Sequence, residues 1–164
     1  VGQYFDYKGM DIALEVAKLN PDKRFKFIGM GSRTDLFISE HNLQGINNIE
    51  IIPFLQKEKL EEEYMTCKML VLPSRQECWG LVVNEAASVG TPIVSTYGSG
   101  SAVEFLGDKY EMYLARTNNP KSLSDVVCKC FKADNSNYIE YLLEKSKGYS
   151  IERNVKVHIE AFTD

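Results

Sequence analysis

The chain has 164 residues, of which 44% are hydrophobic and 26% are charged, an ordinary balance for one globular domain. The formal net charge of −4, with no run of basic residues, argues against a nucleic-acid partner. The four cysteines show no Cys-x-x-Cys spacing and there are only two histidines, so we expect no metal site. No apolar stretch has the length of a membrane span and no signal peptide is visible, which predicts a cytoplasmic protein.

The residue pattern at 1–20 predicts the end of a strand followed by a helix. Residues 1–4 have the character of the end of a strand. The helix is predicted to begin at Lys8-Gly9, because apolar residues then recur at helical spacing, and to stop at Asn20, which a proline follows.

A second strand is predicted at residues 24–28, where polar and apolar side chains alternate. It runs into Gly29-Met30-Gly31, and Ser32 is the predicted cap of the next helix. This glycine pair invites a dinucleotide-binding interpretation, but Thr34 stands where that pattern needs its third glycine. NAD is therefore not an expected cofactor.

Two further strands are predicted before the middle of the chain. Residues 49–52 form the third strand, and a charged helix follows at residues 57–67. Residues 69–72 are almost continuously apolar, as expected for a central parallel strand that is buried on both faces.

Residues 73–92 are the most informative stretch of the sequence. It reads as a sharp turn after the fourth strand, a helix that begins at Gly80 and a fifth strand after Gly90. Glu77 lies in the turn, and Glu85 lies about one turn into the helix with its side chain leaning back toward the helix start.

This turn predicts an anion-binding site. Open parallel sheets bind ligands at the carboxyl ends of their strands, where the turn lies. The first amides of the helix, at Gly80, Leu81 and Val82, lack partners within the helix, and the helix dipole adds positive charge there. Because ionised carboxylates only accept hydrogen bonds, Glu77 and Glu85 suit hydroxyls on the two sides of a phosphate. A nucleotide diphosphate sugar carries its groups in that order.

The stretch resembles the signature of the retaining GT-B-fold glycosyltransferases of the group 1 or family 4 type, which include many bacterial capsule and lipopolysaccharide enzymes. The matching elements are Pro73-Ser74, Glu77, Trp79, Gly80-Leu81, Glu85-Ala86 and Gly90-Thr91-Pro92. The resemblance implies an α/β fold, a Rossmann-like, doubly wound parallel sheet of about six strands with helices on both faces. It also implies that residues 1–164 are the donor-binding, C-terminal half of a GT-B protein, excised from its N-terminal acceptor domain.

The resemblance implies roles for individual residues. Glu77 would face hydroxyls of the donor sugar and Lys8 would grip the pyrophosphate, so these two are the predicted catalytic residues. Glu85 would bind the ribose. The remaining predicted substrate-binding residues are Gly80, Leu81, Val82, Trp79, Gln3, Phe54 and Gly29.

Three of these assignments carry a reservation in the sequence itself. Gln3 stands where the family has an arginine, and glutamine donates hydrogen bonds but has no charge. Phe54, placed near the nucleobase, is equally well interpreted as a structural aromatic residue. Lys8 taken alone is a typical solvated lysine at the start of a helix.

The implied reaction transfers a hexosyl group from a UDP, GDP or ADP sugar to a hydroxyl of a glycan or lipid-linked acceptor, with retention at the anomeric carbon. No Asp-x-Asp occurs, so metal-independent transfer is expected and no cofactor beyond the donor. The full-length protein is expected at the inner face of the plasma membrane, and the isolated domain is expected to bind donor with little turnover.

Three other functions fit the same residues. A glycogen- or starch-synthase-like glucosyltransferase shares the two glutamates, and a nucleotide-sugar epimerase of related GT-B fold cleaves the same anomeric bond. A non-catalytic nucleotide-binding module is the third, and Gln3 favours it. One further expectation concerns the last helix, whose apolar face would pack on the absent domain and leave Phe162 exposed.

Overall fold

The computed structural model describes residues 1–163, apart from the side chains at 151, 152, 154, 161 and 163. Within this range the chain alternates strands with helices. The strands are β1 (Phe25–Ile28), β2 (Ile49–Ile52), β3 (Leu70–Leu72), β4 (Ile93–Thr96) and β5 (Leu114–Ala115). The helices are α1 (Met10–Leu19), α2 (Thr34–Glu40), α3 (Lys57–Thr66), α4 (Leu81–Ser88), α5 (Gly100–Leu106), α6 (Pro120–Lys132), α7 (Ser136–Lys147) and α8 (Ile151–Thr163).

The strands form two parallel sheets. β1 pairs with β2, and β3, β4 and β5 pair in that order. Parallel neighbours need crossover connections, and helices make most of them here, which confirms the α/β class and the helices on both faces.

The described residues form five strands in two sheets, where about six strands in one sheet were expected. Residues 1–4 form no strand. This segment makes a backbone hydrogen bond to the end of β1, from the Gly2 N–H to the Ile28 carbonyl (2.8 Å). Within residues 1–163, no strand pairs with both β1 and β3.

Side chains cap the starts of two helices. Asn119 caps α6 through its side-chain oxygen, which accepts from the Ser122 N–H at 2.9 Å, and the Ser150 hydroxyl accepts from the Arg153 N–H at 3.2 Å. The predicted cap at Ser32 was wrong. Residues Gly31–Arg33 form a 3-10 turn instead, and α2 begins at Thr34.

Each sheet has its own hydrophobic core. The larger core joins β3 and β4 to residues of α4, α5, α6 and α7, and the smaller one joins β1 to α1 and α2. Two asparagine side chains fix the end of α1 to its surroundings. The Asn48 side-chain amide lies 2.9–3.0 Å from three backbone carbonyls near the end of α1, and the Asn20 amide donates to Ser124 of α6 at 2.8 Å.

The last helix has an uncovered apolar face. Phe162 is 86% exposed and Val155 is 52% exposed, which confirms the expected exposure of Phe162. Across residues 1–163, no helix combines the length and apolar character needed to cross a membrane.

Candidate functional site

Two loops meet at the carboxyl ends of the strands and place Lys8 over the turn that follows β3. The Arg75 N–H donates to the Tyr7 carbonyl at 2.8 Å. Gly9 has a φ of +67°, and a Cβ built on it would lie 2.2 Å from the Pro73 carbonyl oxygen. Only glycine tolerates both the left-handed backbone and this close approach, so Gly9 fixes the position of Lys8.

Lys8 and Glu77 form an ion pair in this place. The Lys8 ammonium donates to the Glu77 carboxylate, and the Ser74 hydroxyl lies 3.4 Å from the same carboxylate oxygen. The Lys8 side chain is 21% exposed and the Glu77 side chain 12% exposed, so the pair is largely covered but open on one side. The two predicted catalytic residues are thus brought together although 69 positions separate them in sequence.

Arg75 is a residue of the site that the sequence analysis did not single out. Its guanidinium binds both carboxylate oxygens of Asp11, at 2.9 and 2.6 Å, and also donates to the Asp6 carbonyl at 2.6 Å. Burial raises the pKa of Asp11, but the hydrogen bonds and charge of Arg75 outweigh burial and leave that pKa below its ordinary value. This bidentate pair ties the start of α1 to the turn after β3.

The glycine-rich loop before α5 packs against the turn backbone. The Glu77 N–H donates to the Gly98 carbonyl at 2.7 Å, and the Gly100 N–H donates to the Glu77 carbonyl at 2.9 Å. A Cβ at Gly98 would lie 2.4 Å from the Ser74 carbonyl oxygen. These glycines therefore serve the approach of one loop to another.

The start of α4 offers fewer free amides than predicted. The Gly80 N–H donates to the buried Ser101 hydroxyl at 3.1 Å, which satisfies it. The Gly80 carbonyl accepts from the Val83 N–H at 3.0 Å and closes the first helical turn. Leu81 and Val82 remain as the first-turn residues whose amides need a partner outside the helix.

Glu85 lies further along the same helix and does not touch the Lys8–Glu77 pair. Its carboxylate accepts a hydrogen bond at 3.0 Å from the hydroxyl of Tyr64, which is 4% exposed. Burial, followed by the negative charge of Glu85, raises the pKa of Tyr64, so this phenol is a hydrogen-bond donor at neutral pH. Glu85 itself is exposed.

Three of the other predicted substrate-binding residues have identifiable surroundings. The Trp79 ring packs against Tyr149 with 5.6 Å between centroids, and its N–H donates to Asn84 at 3.0 Å. Phe54 is 66% exposed just beyond the carboxyl end of β2. Gly29 has a φ of +93°, and a Cβ there would lie 3.3 Å from the Gly2 nitrogen.

Gln3 is exposed immediately after Gly2, at the carboxyl end of β1. Among the residues that the structure describes, no cluster of three or more His, Cys, Asp or Glu side chains could hold a metal ion. The four cysteines are free thiols.

Comparison with known proteins identifies the family of this chain. A family model described as "Glycosyl transferases group 1" matches residues 1–149. The chain belongs to the group 1 glycosyl transferases. Membership supports a role in glycosyl transfer and agrees with the resemblance that the motif predicted.

Two relatives show the range of proteins that carry this sequence pattern. A glycosyltransferase of Methanocaldococcus jannaschii is 31% identical over 153 residues, which are 92% of this chain and 42% of the relative. A D-inositol 3-phosphate glycosyltransferase of Mycolicibacterium gilvum is 26% identical over 144 residues, 84% of this chain and 32% of the relative. The chain thus spans less than half of the length of these relatives.

Solved structures confirm the fold. The catalytic domain of cholesterol-α-glucosyltransferase from Helicobacter pylori has a TM-score of 0.76 at 22% identity, covering 92% of this chain and 96% of that chain. A glycosyltransferase from Rickettsia africae has a TM-score of 0.79 at 18% identity, covering 98% of this chain and 45% of that chain. The group 1 chain therefore has the domain fold that these glycosyltransferases contain.

Proposed function

We propose that this domain binds a nucleotide diphosphate sugar at the carboxyl ends of its strands, as the donor half of a retaining, metal-independent hexosyltransferase. The observation that carries the proposal is the Lys8–Glu77 pair, which lies beside the start of α4. A Cβ at Gly80 would lie 3.4 Å from the Glu77 side chain, so the pair borders the first turn of that helix. A cation and unpaired helix amides together favour an anion at this point.

In this proposal the diphosphate lies between the Lys8 ammonium and the amides of Leu81 and Val82. Lys8 then turns from Glu77 to a phosphate oxygen and stabilises the charge that develops on the departing diphosphate. Glu77, released from the ion pair, accepts hydrogen bonds from the sugar hydroxyls. Gln3 adds an uncharged donor where the family has an arginine.

The ribose is assigned to Glu85. Tyr64 holds one carboxylate oxygen through its buried hydroxyl, and the other oxygen is free to accept from a ribose hydroxyl. Replacing Glu85 with alanine should weaken nucleotide binding by about 1.5–3 kcal/mol for each charged hydrogen bond lost. A smaller loss is expected for Tyr64→Phe, which frees the carboxylate without removing it. Equal affinity of the Glu85→Ala variant and the parent for the nucleotide would rule the ribose assignment out.

The test of the proposal is calorimetric titration with UDP-, GDP- and ADP-glucose. We expect one nucleotide to bind best and Lys8→Met to lower its affinity about 10- to 100-fold, the value of one charged hydrogen bond. Lys59→Met is a matched control, because Lys59 carries the same charge on the outer surface of α3, paired with Glu62. If Lys8→Met and Lys59→Met bind alike, or if no nucleotide binds, the proposed site is wrong.

The activity of the whole protein is part of the same proposal. The acceptor, a glycan or a lipid-linked hydroxyl, would bind the N-terminal domain, so the isolated 164-residue chain should bind donor and transfer little sugar. A cytoplasmic location at the inner face of the plasma membrane fits a lipid-linked acceptor. Transfer to an α-glucan by the full-length protein would instead identify a starch-synthase-like enzyme. Nucleotide binding with no transfer by the full-length protein would identify a binding module.

A further inference from the structure

Lys8 lies at the end of a short turn that side-chain burial does not hold in place. Residues Asp6–Lys8 form a 3-10 turn of three residues, and none of them is buried. The Lys8 N–H donates to the Phe5 carbonyl at 2.9 Å, and the Gly9 N–H donates to the Asp6 carbonyl at 3.1 Å. So few internal hydrogen bonds do not repay the entropy lost in ordering such a turn. Contacts from another part of the chain must therefore set the position of the Lys8 ammonium.

The segment after β3 supplies these contacts, mainly through Arg75. The Arg75 N–H donates to the Tyr7 carbonyl at 2.8 Å, and the guanidinium donates to the Asp6 carbonyl at 2.6 Å. The Gln76 N–H adds a longer hydrogen bond, of 3.3 Å, to the same Tyr7 carbonyl. Gly9 allows the turn to come close to this segment, whereas these hydrogen bonds fix the orientation of the turn.

Asp11, the second residue of α1, holds the guanidinium in the required orientation. Its two carboxylate oxygens accept hydrogen bonds from the two terminal nitrogens of Arg75, at 2.9 and 2.6 Å. A bidentate pair of this kind fixes the plane of the guanidinium as well as its distance. Since Asp11 also neutralises the charge of Arg75, the arginine is better suited to holding the turn than to binding an anion itself.

We propose that Arg75 is a positioning residue of the donor site, which holds the turn before α1 so that the Lys8 ammonium reaches Glu77 and, in the donor complex, the diphosphate. Its last step rests on the donor-binding function proposed above. Arg75 precedes Glu77 by two residues and binds the turn that ends at Lys8, so it connects the backbone on both sides of the ion pair. Because Arg75 acts through Lys8, its effect on nucleotide affinity disappears when the ammonium is removed.

The test is a double-mutant cycle of Arg75→Gln and Lys8→Met. Calorimetry measures the affinity for whichever of UDP-, GDP- and ADP-glucose binds the parent best. We expect Arg75→Gln to weaken binding about 5- to 20-fold in the parent and less than about twofold in the Lys8→Met background, where no ammonium is left to position. An equal loss in both backgrounds would overturn the proposal, since Arg75 would then bind the nucleotide itself or support the whole domain.

Two further variants separate positioning from charge. Arg75→Lys keeps the positive charge but cannot bind Asp11 in bidentate fashion, so most of the loss of affinity should remain. Arg24→Gln is the matched control, because Arg24 is exposed and immediately precedes β1, at the opposite end of the strands from the proposed site. It should bind nucleotide like the parent. Parental affinity in Arg75→Lys, or equal losses in Arg24→Gln and Arg75→Gln, would overturn the proposal.

A readout without nucleotide separates this proposal from the proposed function. The Gln76 amide donates to the Tyr7 carbonyl, so its hydrogen exchange reports whether the turn stays in place. We expect this exchange to be about tenfold faster or more in Arg75→Gln than in Arg24→Gln, because the local opening becomes easier. Unchanged exchange would overturn the positioning role. Faster exchange together with parental nucleotide affinity in Lys8→Met would instead refute the donor site and leave Arg75 as a residue that only holds the turn.

Discussion

Gly9→Ala tests whether the approach of the Lys8 loop to the turn after β3 holds the site together. The alanine Cβ must occupy a left-handed backbone at φ +67° and would begin 2.2 Å from the Pro73 carbonyl oxygen, about 1 Å inside normal contact. The left-handed conformation costs about 1–2 kcal/mol, and forcing the two loops apart costs about 1–3 kcal/mol more. We therefore expect the free energy of unfolding to fall by about 2–5 kcal/mol.

Gly45→Ala is the matched control for this experiment. Gly45 also has a left-handed backbone, at φ +81°, but a Cβ there meets no atom within 4 Å. The control should lose only about 1–2 kcal/mol, and the lower entropy of the unfolded alanine chain cancels between the two variants. Urea unfolding gives both free energies, and calorimetry gives nucleotide affinity. Equal losses of stability in the two variants would refute the claim that the Gly9–Pro73 contact is close.

Three further predictions concern stability and reactivity. Asn48→Ala removes an amide that serves three backbone carbonyls and should lower the free energy of unfolding by about 2–3 kcal/mol in urea titrations; a loss below about 0.5 kcal/mol would contradict this. Because Arg75 holds the pKa of Asp11 below 3.8, the stabilisation from this carboxylate is present above pH 3.8 and lost as pH falls through the lowered pKa. The melting temperature of Asp11→Asn should therefore depend less on pH between 2 and 4 than that of the parent, and parallel curves would count against the pair. Burial raises the pKa of the Cys130 thiol to about 11, so at pH 8 a thiol reagent should modify exposed Cys78 well before Cys130, as peptide mapping would show.

Local sequence patterns predicted much of the secondary structure. The helix at Leu81–Ser88 and the strand at Ile93–Thr96 were predicted because each depends on residue spacing or a glycine within a few residues. The family resemblance implied that Lys8 and Glu77 belong to one site, and the structure brings the two side chains into contact.

The remaining features depend on partners that are distant in sequence. The Arg75–Asp11 pair joins residues 64 positions apart, and nothing in the local pattern identifies either one. The Ser101 hydroxyl occupies the Gly80 amide from a different helix, which reduced the predicted anion site to two amides. The strand predicted at residues 1–4 failed for another reason, because a strand forms only where its edges find partners along several residues.

The close packing of the two glycine-containing loops on the turn after β3 has a consequence for the proposed donor site. The turn after β3 packs against Gly9 at Pro73 and against Gly98 at Ser74, and neither glycine has room for a Cβ atom. A ligand that binds at this turn contacts backbone that is already ordered, so little conformational entropy is lost there on binding. Under the proposed donor-binding function, sugar and base preference should be adjustable through the exposed side chains of Phe54 and Leu81, so laboratory evolution toward a new donor can leave this backbone unchanged.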